Sequence, residues 1–272
     1  MNRKMACTVF QGGAGDHNDL AIPGARAIGE LLAQRSGETP VIIGSPAAAI
    51  KAGWREALAA ALPDLQAMRA HFDQVFSAGA ISVAATSRCA VSLATLPALA
   101  KHHPDACVVW FDAHGDLNTP ESSTSGFLGG LALSGPVGLW QSGLGSGLCL
   151  EQLVLVGQRD LDPFEKELIA RHNIPVIAPG PAIAERLQEA VAGRPVYLHL
   201  DCDVLEPGIV PTDYRAEGGL TLAELSACCD ALAKSPFTGI EIAEFQHAWQ
   251  PGGAPVSPEP LIDALMPLWK QP

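Results

Sequence analysis

Short apolar runs alternate along this chain with segments that are rich in Ala and Leu. The apolar runs predict buried strands and are, in order, "ACTVFQ", "PVIIG", "QVFSAGAISVAA", "CVVWFDA", "LVLVGQ", "IPVIA", "VYLHLD" and "TGIEIAEF". The segments between them predict helices, since Ala, Leu, Glu and Lys dominate and Gly, Asn or Pro stand at their ends. These segments are "PGARAIGELLAQRSG", "IKAGWREALAAAL", "SLATLPALAKHHP", "DPFEKELIARHN" and "LTLAELSACCDALAKS".

The alternation of strands with helices determines the predicted fold class. Strands without a polar face are typical of a mostly parallel sheet that helices cover on both sides. We therefore predict an α/β fold, a three-layer α/β/α sandwich. The chain has 272 residues, a length compatible with one domain and a large core. Because no linker-like stretch interrupts the pattern, we predict a single domain over residues 1–272.

Polar side chains follow the fourth apolar run, in "VVWFDAHGDLNTP". In an extended backbone, residues two apart point to the same side, so Asp112, His114 and Asp116 converge. Because clustered carboxylates repel one another, this arrangement favours a divalent cation between them. In open α/β sheets, ligands bind beyond the carboxyl ends of the strands, which is where this motif is predicted.

A second acidic pair ends another apolar run, in "VYLHLDCDVLEP". Asp201 and Asp203 are also two apart, and alone they would be typical of a turn or a helix cap. Together, the two motifs predict an oxygen-rich site with one imidazole, which suits Mn²⁺ or another first-row divalent ion. In such a site one carboxylate can bridge two ions that lie about 3.5–4 Å apart.

These motifs resemble the signatures of the ureohydrolases, the family of arginase, agmatinase and formimidoylglutamase. "FDAHGDLNTP" resembles the family's D-A-H-x-D-x-N, and "LDCDVLEP" resembles its D-x-D-x-x-D-P. Weaker similarity extends the resemblance to roughly residues 80–247, through "GQRDLDPFE", "EGGLTLAEL" and "GIEIAEF". The resemblance implies the arginase-like three-layer fold and a homo-oligomer, either a trimer or a hexamer.

The resemblance also implies a cofactor of two Mn²⁺ ions. In the family these ions activate a shared water to hydroxide, which attacks the carbon of a guanidine or an amidine. By position, Asp112 and Asp201 would bridge the two ions. His114 and Asp203 would complete one metal site, and Asp116 would belong to the other.

Two further residues are assigned to the substrate by the resemblance. Glu244 in "GIEIAEF" stands where the family has the carboxylate that holds the cationic substrate, and we count it with Asp116 as a catalytic candidate. Thr221 in "EGGLTLAEL" is assigned to substrate binding. The predicted partner is therefore a small guanidino or amidino compound.

One loop departs from the arginase pattern. Where arginase has S-G-N-L-H-G, this chain has "SGFLGG". Ser125 is retained as a substrate-binding candidate, whereas Phe127 replaces an amide that would read the amino-acid end of the substrate. Gly129 replaces an imidazole that would shuttle protons, so arginine is not the predicted substrate. His17 is a candidate replacement for that imidazole, in a segment that could instead only cap the first helix.

A second departure concerns the family motif G-G-D-H-S, whose His binds the first metal. The corresponding segment, "TSRCAVSLATLPAL", has Arg88 in place of the Asp and Cys89 in place of the His. A thiol at a helix start beside an arginine has a lowered pKa, so Cys89 could bind a metal such as Zn²⁺, Fe²⁺ or Ni²⁺. Alternatively, Cys89 only fills space and the first metal site is weak or empty.

Three functional hypotheses follow. The leading one is a metal-dependent hydrolase of a linear C–N bond in a guanidino or amidino compound other than arginine. A single-metal amidohydrolase resembling the deacetylases is an alternative, although the paired histidines of those enzymes are absent before the metal motif. A degenerate protein that only binds a ligand is the third, and the retention of five of the six expected ligands argues against it. Metal analysis with an assay for urea or ammonia release separates the three.

The overall composition indicates which partners the protein does not bind and in which cellular compartment it works. A formal net charge of −12 argues against nucleic acid, because that binding depends on Lys and Arg. No apolar run reaches the roughly 18–20 residues of a membrane span, and the start has too short an apolar part for a secretory signal. Seven cysteines without a pattern indicate reduced thiols, so a cytoplasmic protein is predicted.

Overall fold

The computed structural model describes residues 4–269, which contain eight β-strands and seven α-helices. The strands are β1 (Met5–Phe10), β2 (Val41–Ile43), β3 (Ile81–Ala85), β4 (Cys107–Phe111), β5 (Leu153–Val156), β6 (Val176–Ile177), β7 (Val196–Asp201) and β8 (Phe237–Ala243). The helices are α1 (Ala21–Ser36), α2 (Trp54–Ser77), α3 (Ser92–His102), α4 (Pro163–His172), α5 (Ile183–Val191), α6 (Leu222–Leu232) and α7 (Glu259–Leu265).

The eight strands form one sheet in the order β2-β1-β3-β8-β7-β4-β5-β6, and every neighbouring pair is parallel. Successive side chains of a strand point to opposite faces, so both faces carry apolar residues. On β4, Val108 and Trp110 pack in the core shared with α2, α3 and α4, whereas Val109 and Phe111 pack in the core with α1, α5, α6 and α7. The predicted α/β/α sandwich is confirmed.

One of the predicted strands is wrong in its first half. "QVFSAGAISVAA" contains the end of α2 and then β3, because α2 continues through Pro63 to Ser77. Pro63 lacks an N–H donor and usually ends a helix, so the sequence alone favours an end near this residue. The apolar residues after it nevertheless recur three or four apart and form a buried helical stripe. These residues are Leu65, Met68, Phe72, Val75 and Phe76.

The central strands of the sheet place the candidate site. The predicted ligands follow the carboxyl ends of β3, β8, β7 and β4, which are consecutive neighbours in the sheet. Segments that are far apart in the sequence therefore meet at one edge. Among the described residues, no helix combines the length and the apolar composition that crossing a membrane requires. Helices α5 and α7 were not predicted from the sequence.

Candidate metal centre and substrate pocket

A pocket opens at the carboxyl edge of these four strands. Most of the predicted ligands line it, together with the more exposed Phe127 and Tyr214. Its acidic and sulfur-bearing lining residues include Cys89, His114, Asp116, Asp201, Asp203 and Glu244. The pocket therefore brings together side chains that the sequence distributes over four segments.

The loop after β4 forms the first ligand group. His114 Nδ1 lies 3.2 Å from Asp112 Oδ1 and 3.2 Å from Asp203 Oδ2. Trp110 Nε1 donates to Asp112 Oδ2 at 2.9 Å, and the backbone N–H of Ala113 donates to Asp203 Oδ1 at 3.1 Å. One ligand atom from each of Asp112, His114 and Asp203 lies within 4.8 Å of the others, a spacing that one metal ion can fill.

Asp116 is held in the pocket by an unusual backbone conformation. Its φ is 51°, in the left-handed region that costs a non-glycine residue about 1–3 kcal/mol. The same turn contacts the start of α4, where Glu165 accepts hydrogen bonds from the backbone N–H groups of Leu117 at 3.0 Å and Asp162 at 2.9 Å. A Cβ at Gly115 would lie 2.7 Å from Glu165 Oε1. The turn therefore needs glycine at this position, and α4 helps to fix it.

Cys89 belongs to a second ligand group. It begins a short 3₁₀ turn that leads into α3, and it is buried. Its sulfur donates to Asp201 Oδ2 at 2.9 Å. Ligand atoms of Cys89, Asp112 and Asp116 lie within 4.8 Å of one another. Asp112 is common to both groups, so the geometry can accommodate two neighbouring ions that share a carboxylate.

The clustered carboxyl groups repel one another. Burial, followed by the charges of neighbouring carboxylates, raises the pKa of Asp112, Asp116 and Asp201. Burial lowers the pKa of His114, but its contacts with Asp112 and Asp203 outweigh this and raise the pKa well above its usual value. A divalent cation between these groups would relieve the repulsion.

The prediction of a lowered thiol pKa for Cys89 is wrong for the protein without metal. Burial, followed by the charges of Asp201, Glu244 and Asp116, raises the pKa of Cys89 well above its usual value. Of these carboxylates only Glu244 pairs with Arg88, whose guanidinium also donates to Asp16. The thiol therefore keeps its proton, which it donates to Asp201.

Arg88 lies in a buried ion-pair network beside the pocket. Its Nε donates to Asp16 Oδ1 at 2.9 Å, and its Nη1 donates to Glu244 Oε2 at 2.7 Å and to Asp213 Oδ2 at 3.1 Å. Burial lowers the pKa of Arg88, but these carboxylates outweigh burial and raise it. The guanidinium is thus a fixed charge whose partners are carboxylates. Asp16, from the segment considered as a helix cap, is one of those partners.

A buried polar layer lies directly behind Cys89. His199 Nε2 is 3.2 Å from Cys89 Sγ, and His199 Nδ1 is 2.9 Å from Glu241 Oε1. The imidazole also stacks on Trp110, with ring centroids 3.5 Å apart. The sequence analysis missed His199 because it lies inside an apolar strand. Its only sequence signal is its position two residues before Asp201, on the same face of β7.

Residues 25–254 match a family model that describes the arginase family. The chain belongs to the arginase family. It is 42% identical to an N(omega)-hydroxy-L-arginine amidinohydrolase from Streptomyces lavendulae over 236 residues, which are 87% of this chain and 86% of that protein. It is 34% identical to an arginase from Schizosaccharomyces pombe over 162 residues, but these are only 53% of this chain and 50% of the yeast protein.

Solved structures agree with this assignment. An arginase from Bacillus caldovelox superimposes with a TM-score of 0.82 and 25% identity, and the match covers 99% of both chains. The proclavaminate amidino hydrolase from Streptomyces clavuligerus has a TM-score of 0.71 at 20% identity, over 98% of this chain and 92% of that one. The latter likeness concerns the fold alone. The predicted ureohydrolase family and hydrolase class are confirmed.

Aromatic rings line the mouth of the pocket in this arginase-family protein. The ring centroids of Phe127 and Tyr214 are 5.8 Å apart, and those of Tyr214 and His114 are 5.4 Å apart. His17 contacts Phe127 with a centroid distance of 4.4 Å, so it lies at the rim rather than among the metal-ligand candidates. Ser125 is exposed, and its hydroxyl accepts the backbone N–H of Phe127 at 3.2 Å. Tyr214 was not predicted from the sequence.

Thr221 lies apart from this pocket, contrary to the expectation that it binds substrate. It is exposed and is the N-cap residue of α6. Its hydroxyl accepts the backbone N–H of Glu224 at 3.1 Å, and the Glu224 carboxylate accepts the backbone N–H of Thr221 at 2.9 Å. This reciprocal pair is a capping box. Thr221 therefore stabilises the start of α6 and does not line the pocket.

The donor set of this site fits divalent ions of the first transition row. It combines buried carboxylates, one imidazole and one thiol. Among the described residues these form three overlapping groups, which are Asp112 with His114 and Asp203, Cys89 with Asp112 and Asp116, and Cys89 with Asp201 and Glu244. Carboxylate and imidazole ligands suit Mn²⁺, whereas the thiol adds affinity for softer ions such as Zn²⁺ or Fe²⁺. Burial and mutual repulsion raise the pKa of these carboxyl groups, and a bound cation would offset both effects.

The stability of the metal-free protein is expected to fall as the pH rises. A group whose pKa is higher in the folded chain binds more protons when folded, so its stabilising contribution is lost as the pH rises. Asp112, Asp116, Asp201 and His114 all have raised pKa values, against usual values of about 4 for Asp and 6.5 for His.

Urea denaturation of EDTA-treated protein between about pH 5 and 8 measures this effect. The free energy of unfolding should fall by about 1–2 kcal/mol over this range, and saturating Mn²⁺ should abolish the fall. An equal pH dependence with and without Mn²⁺ would show that the acidic cluster does not bind the ion.

Proposed function

We propose that this arginase-family protein hydrolyses the guanidino C–N bond of an N-hydroxyguanidino compound, N-hydroxy-L-arginine, with two Mn²⁺ ions. The observation that carries this proposal is the 42% identity, over 87% of the chain, to a protein named N(omega)-hydroxy-L-arginine amidinohydrolase. The loop with Phe127 and Gly129 in place of the asparagine and histidine of arginase supports a substrate other than arginine.

The chain would hold the ions through its six candidate ligands. Cys89, Asp112, Asp116 and Asp201 would hold one ion, and Asp112 would also contribute to the other. His114 and Asp203 would complete the other. When bound, such a pair of ions lowers the pKa of water and so supplies hydroxide near neutral pH. The proximity of the ligand atoms supports the two groups that share Asp112, whereas the ligand atom of Asp201 lies close to those of Cys89 and Glu244.

Glu244 would orient the reacting guanidino carbon. Glu244 directly follows β8 and has a left-handed backbone conformation, with a φ of 64°. Its carboxylate lines the pocket. Its Oε1 accepts the backbone N–H of Cys89 at 3.0 Å, which fixes the carboxylate. The oxygen atoms retain lone pairs that can accept N–H groups of the substrate.

Hydrolysis adds one water across the guanidino C–N bond. The carbon gains the oxygen and becomes an N-hydroxyurea, while the side-chain nitrogen leaves as a primary amine after gaining a proton. His17 is our candidate for the group that delivers this proton from the rim of the pocket, where it contacts Phe127.

We also infer that the protein is a homo-oligomer, a trimer or a hexamer, and that it works in the cytoplasm. Membership of the arginase family supports the first inference. Seven free cysteines support the second, because free thiols persist in a reducing compartment.

The Mn²⁺-loaded protein is expected to hydrolyse N-hydroxy-L-arginine with a kcat/KM at least about tenfold higher than for L-arginine. Chromatography of the amine product with both substrates measures this. A double variant, Phe127→Asn with Gly129→His, restores the arginase residues and should raise turnover of L-arginine. Both changes are needed, because a Cβ at Gly129 would lie 2.6 Å from Phe127 Cε1.

Equal turnover of the two substrates would contradict the substrate assignment. Bound Mn²⁺ without hydrolysis of either substrate, or of agmatine, would instead support the non-catalytic hypothesis.

A further inference from the structure

The carboxylate proposed to hold the substrate is already paired with a cation of the protein itself. Arg88 Nη1 donates to Glu244 Oε2 at 2.7 Å. The side chain of Arg88 is 0% exposed and that of Glu244 is 8% exposed, so water and salt screen this pair little. Asp16 and Asp213 hold the same guanidinium from its other sides, at 2.9 and 3.1 Å.

This pairing changes which substrate charge the pocket favours. A guanidinium ion bound at Glu244 would lie beside the guanidinium of Arg88 and share its carboxylate. Asp16 and Asp213 balance part of the Arg88 charge, but Glu244 attracts a second cation less than an unpaired carboxylate would. An uncharged guanidino group does not depend on this attraction. It can still donate its N–H groups to the remaining lone pairs of Glu244.

An N-hydroxyguanidine differs from arginine in this respect. Its hydroxyl oxygen withdraws electron density from the guanidinium, so the proton is lost more easily and a larger uncharged fraction exists at neutral pH. The guanidinium of arginine stays protonated. We propose that Arg88 is a specificity-determining residue that selects the uncharged N-hydroxyguanidine over the guanidinium ion. This inference rests on the proposed function, and Arg88 acts through Glu244 as a positioning residue.

The test compares kcat/KM for N-hydroxy-L-arginine and for L-arginine in the same Mn²⁺-loaded preparation of each variant. Both substrates meet the same active sites, so their ratio does not depend on stability or metal occupancy. In Arg88→Gln, the preference for N-hydroxy-L-arginine should fall about tenfold or more, chiefly through a lower KM for L-arginine. Arg88→Lys keeps the positive charge and should retain most of the preference.

Two further variants control the experiment. Arg35→Gln removes an arginine that pairs with Glu259 and Asp263 on the surface, and it should leave the preference unchanged. Arg88→Gln leaves buried carboxylates unpaired, which destabilises a protein. If it does not fold, the double variant with Asp16→Asn removes one of those carboxylates as well.

The outcomes separate the two proposals. An unchanged preference in folded, Mn²⁺-loaded Arg88→Gln, while the wild type hydrolyses N-hydroxy-L-arginine, would overturn the role of Arg88 alone. Failure of the wild type to hydrolyse N-hydroxy-L-arginine would overturn the proposed function and this inference with it.

Discussion

Replacing Asp203 by Ala is expected to release one metal ion and to lower kcat/KM about a hundredfold or more. Asp203 lies 3.2 Å from His114 Nδ1 and shares a ligand group with it and with Asp112. Its loss leaves that ion with fewer charged ligands. Metal-ion catalysis contributes several kcal/mol, and each ~1.4 kcal/mol corresponds to a factor of ten in rate.

Metal content by mass spectrometry and thermal unfolding with added Mn²⁺ check this expectation. An ion that binds only the folded chain raises the melting temperature by mass action, so the rise should be smaller in Asp203→Ala. Asp230→Ala is the matched control, because Asp230 is an exposed carboxylate on α6. If Asp203→Ala retains the metal content of the wild type, Asp203 is not a ligand.

Replacing Cys89 by Ser is expected to lower the metal content from about two ions per chain towards one, and activity with it. Cys89 is the sulfur member of the group with Asp112 and Asp116. A serine hydroxyl fills similar space but is a far poorer ligand than a thiolate. The other group, with His114, keeps all its members.

Cobalt-substituted protein gives a measurement that does not depend on turnover. A thiolate bound to Co²⁺ produces a charge-transfer absorption in the near ultraviolet, which should disappear in Cys89→Ser. Cys149→Ser is the control, because Cys149 is exposed and lies outside all three ligand groups. Full metal content in Cys89→Ser would support the other hypothesis, that Cys89 only fills space.

The fold and the ligand segments could largely be predicted from the sequence. Apolar strands alternate with helices, and this pattern is typical of a parallel sheet with helices on both faces. Residues two apart share a face of an extended strand, which is why Asp112, His114 and Asp116 were grouped from the sequence. The three do meet near one pocket, but they lie in the turn after β4, and Asp116 has a φ of 51° instead of an extended backbone. The same rule grouped Asp201 with Asp203, but Asp203 lies in a 3₁₀ turn after β7, and the two carboxylates belong to different ligand groups. The trimer or hexamer remains a prediction.

Two predictions from local sequence patterns were wrong because contacts elsewhere in the fold determine what the residue does. Pro63 favoured a helix end, yet α2 continues because its later apolar residues pack against the sheet. Thr221 lay in a segment that resembles the family, but its side chain caps α6. In both cases the tertiary contacts of the residue, and not its type, determine its role.

The tertiary structure determines which charged side chains pair with each other around the pocket. Arg88 lies 72 residues from Asp16, 125 from Asp213 and 156 from Glu244 along the chain, so no local pattern connects them. Arg88 and Glu244 meet because β3 and β8 are neighbours in the sheet, and Asp16 joins them because β1 is the other neighbour of β3. Sequence spacing determines which side chains one strand presents, whereas strand order determines which charges face each other. The raised pKa of Cys89 and the ion pair of Glu244 with Arg88 both depend on strand order.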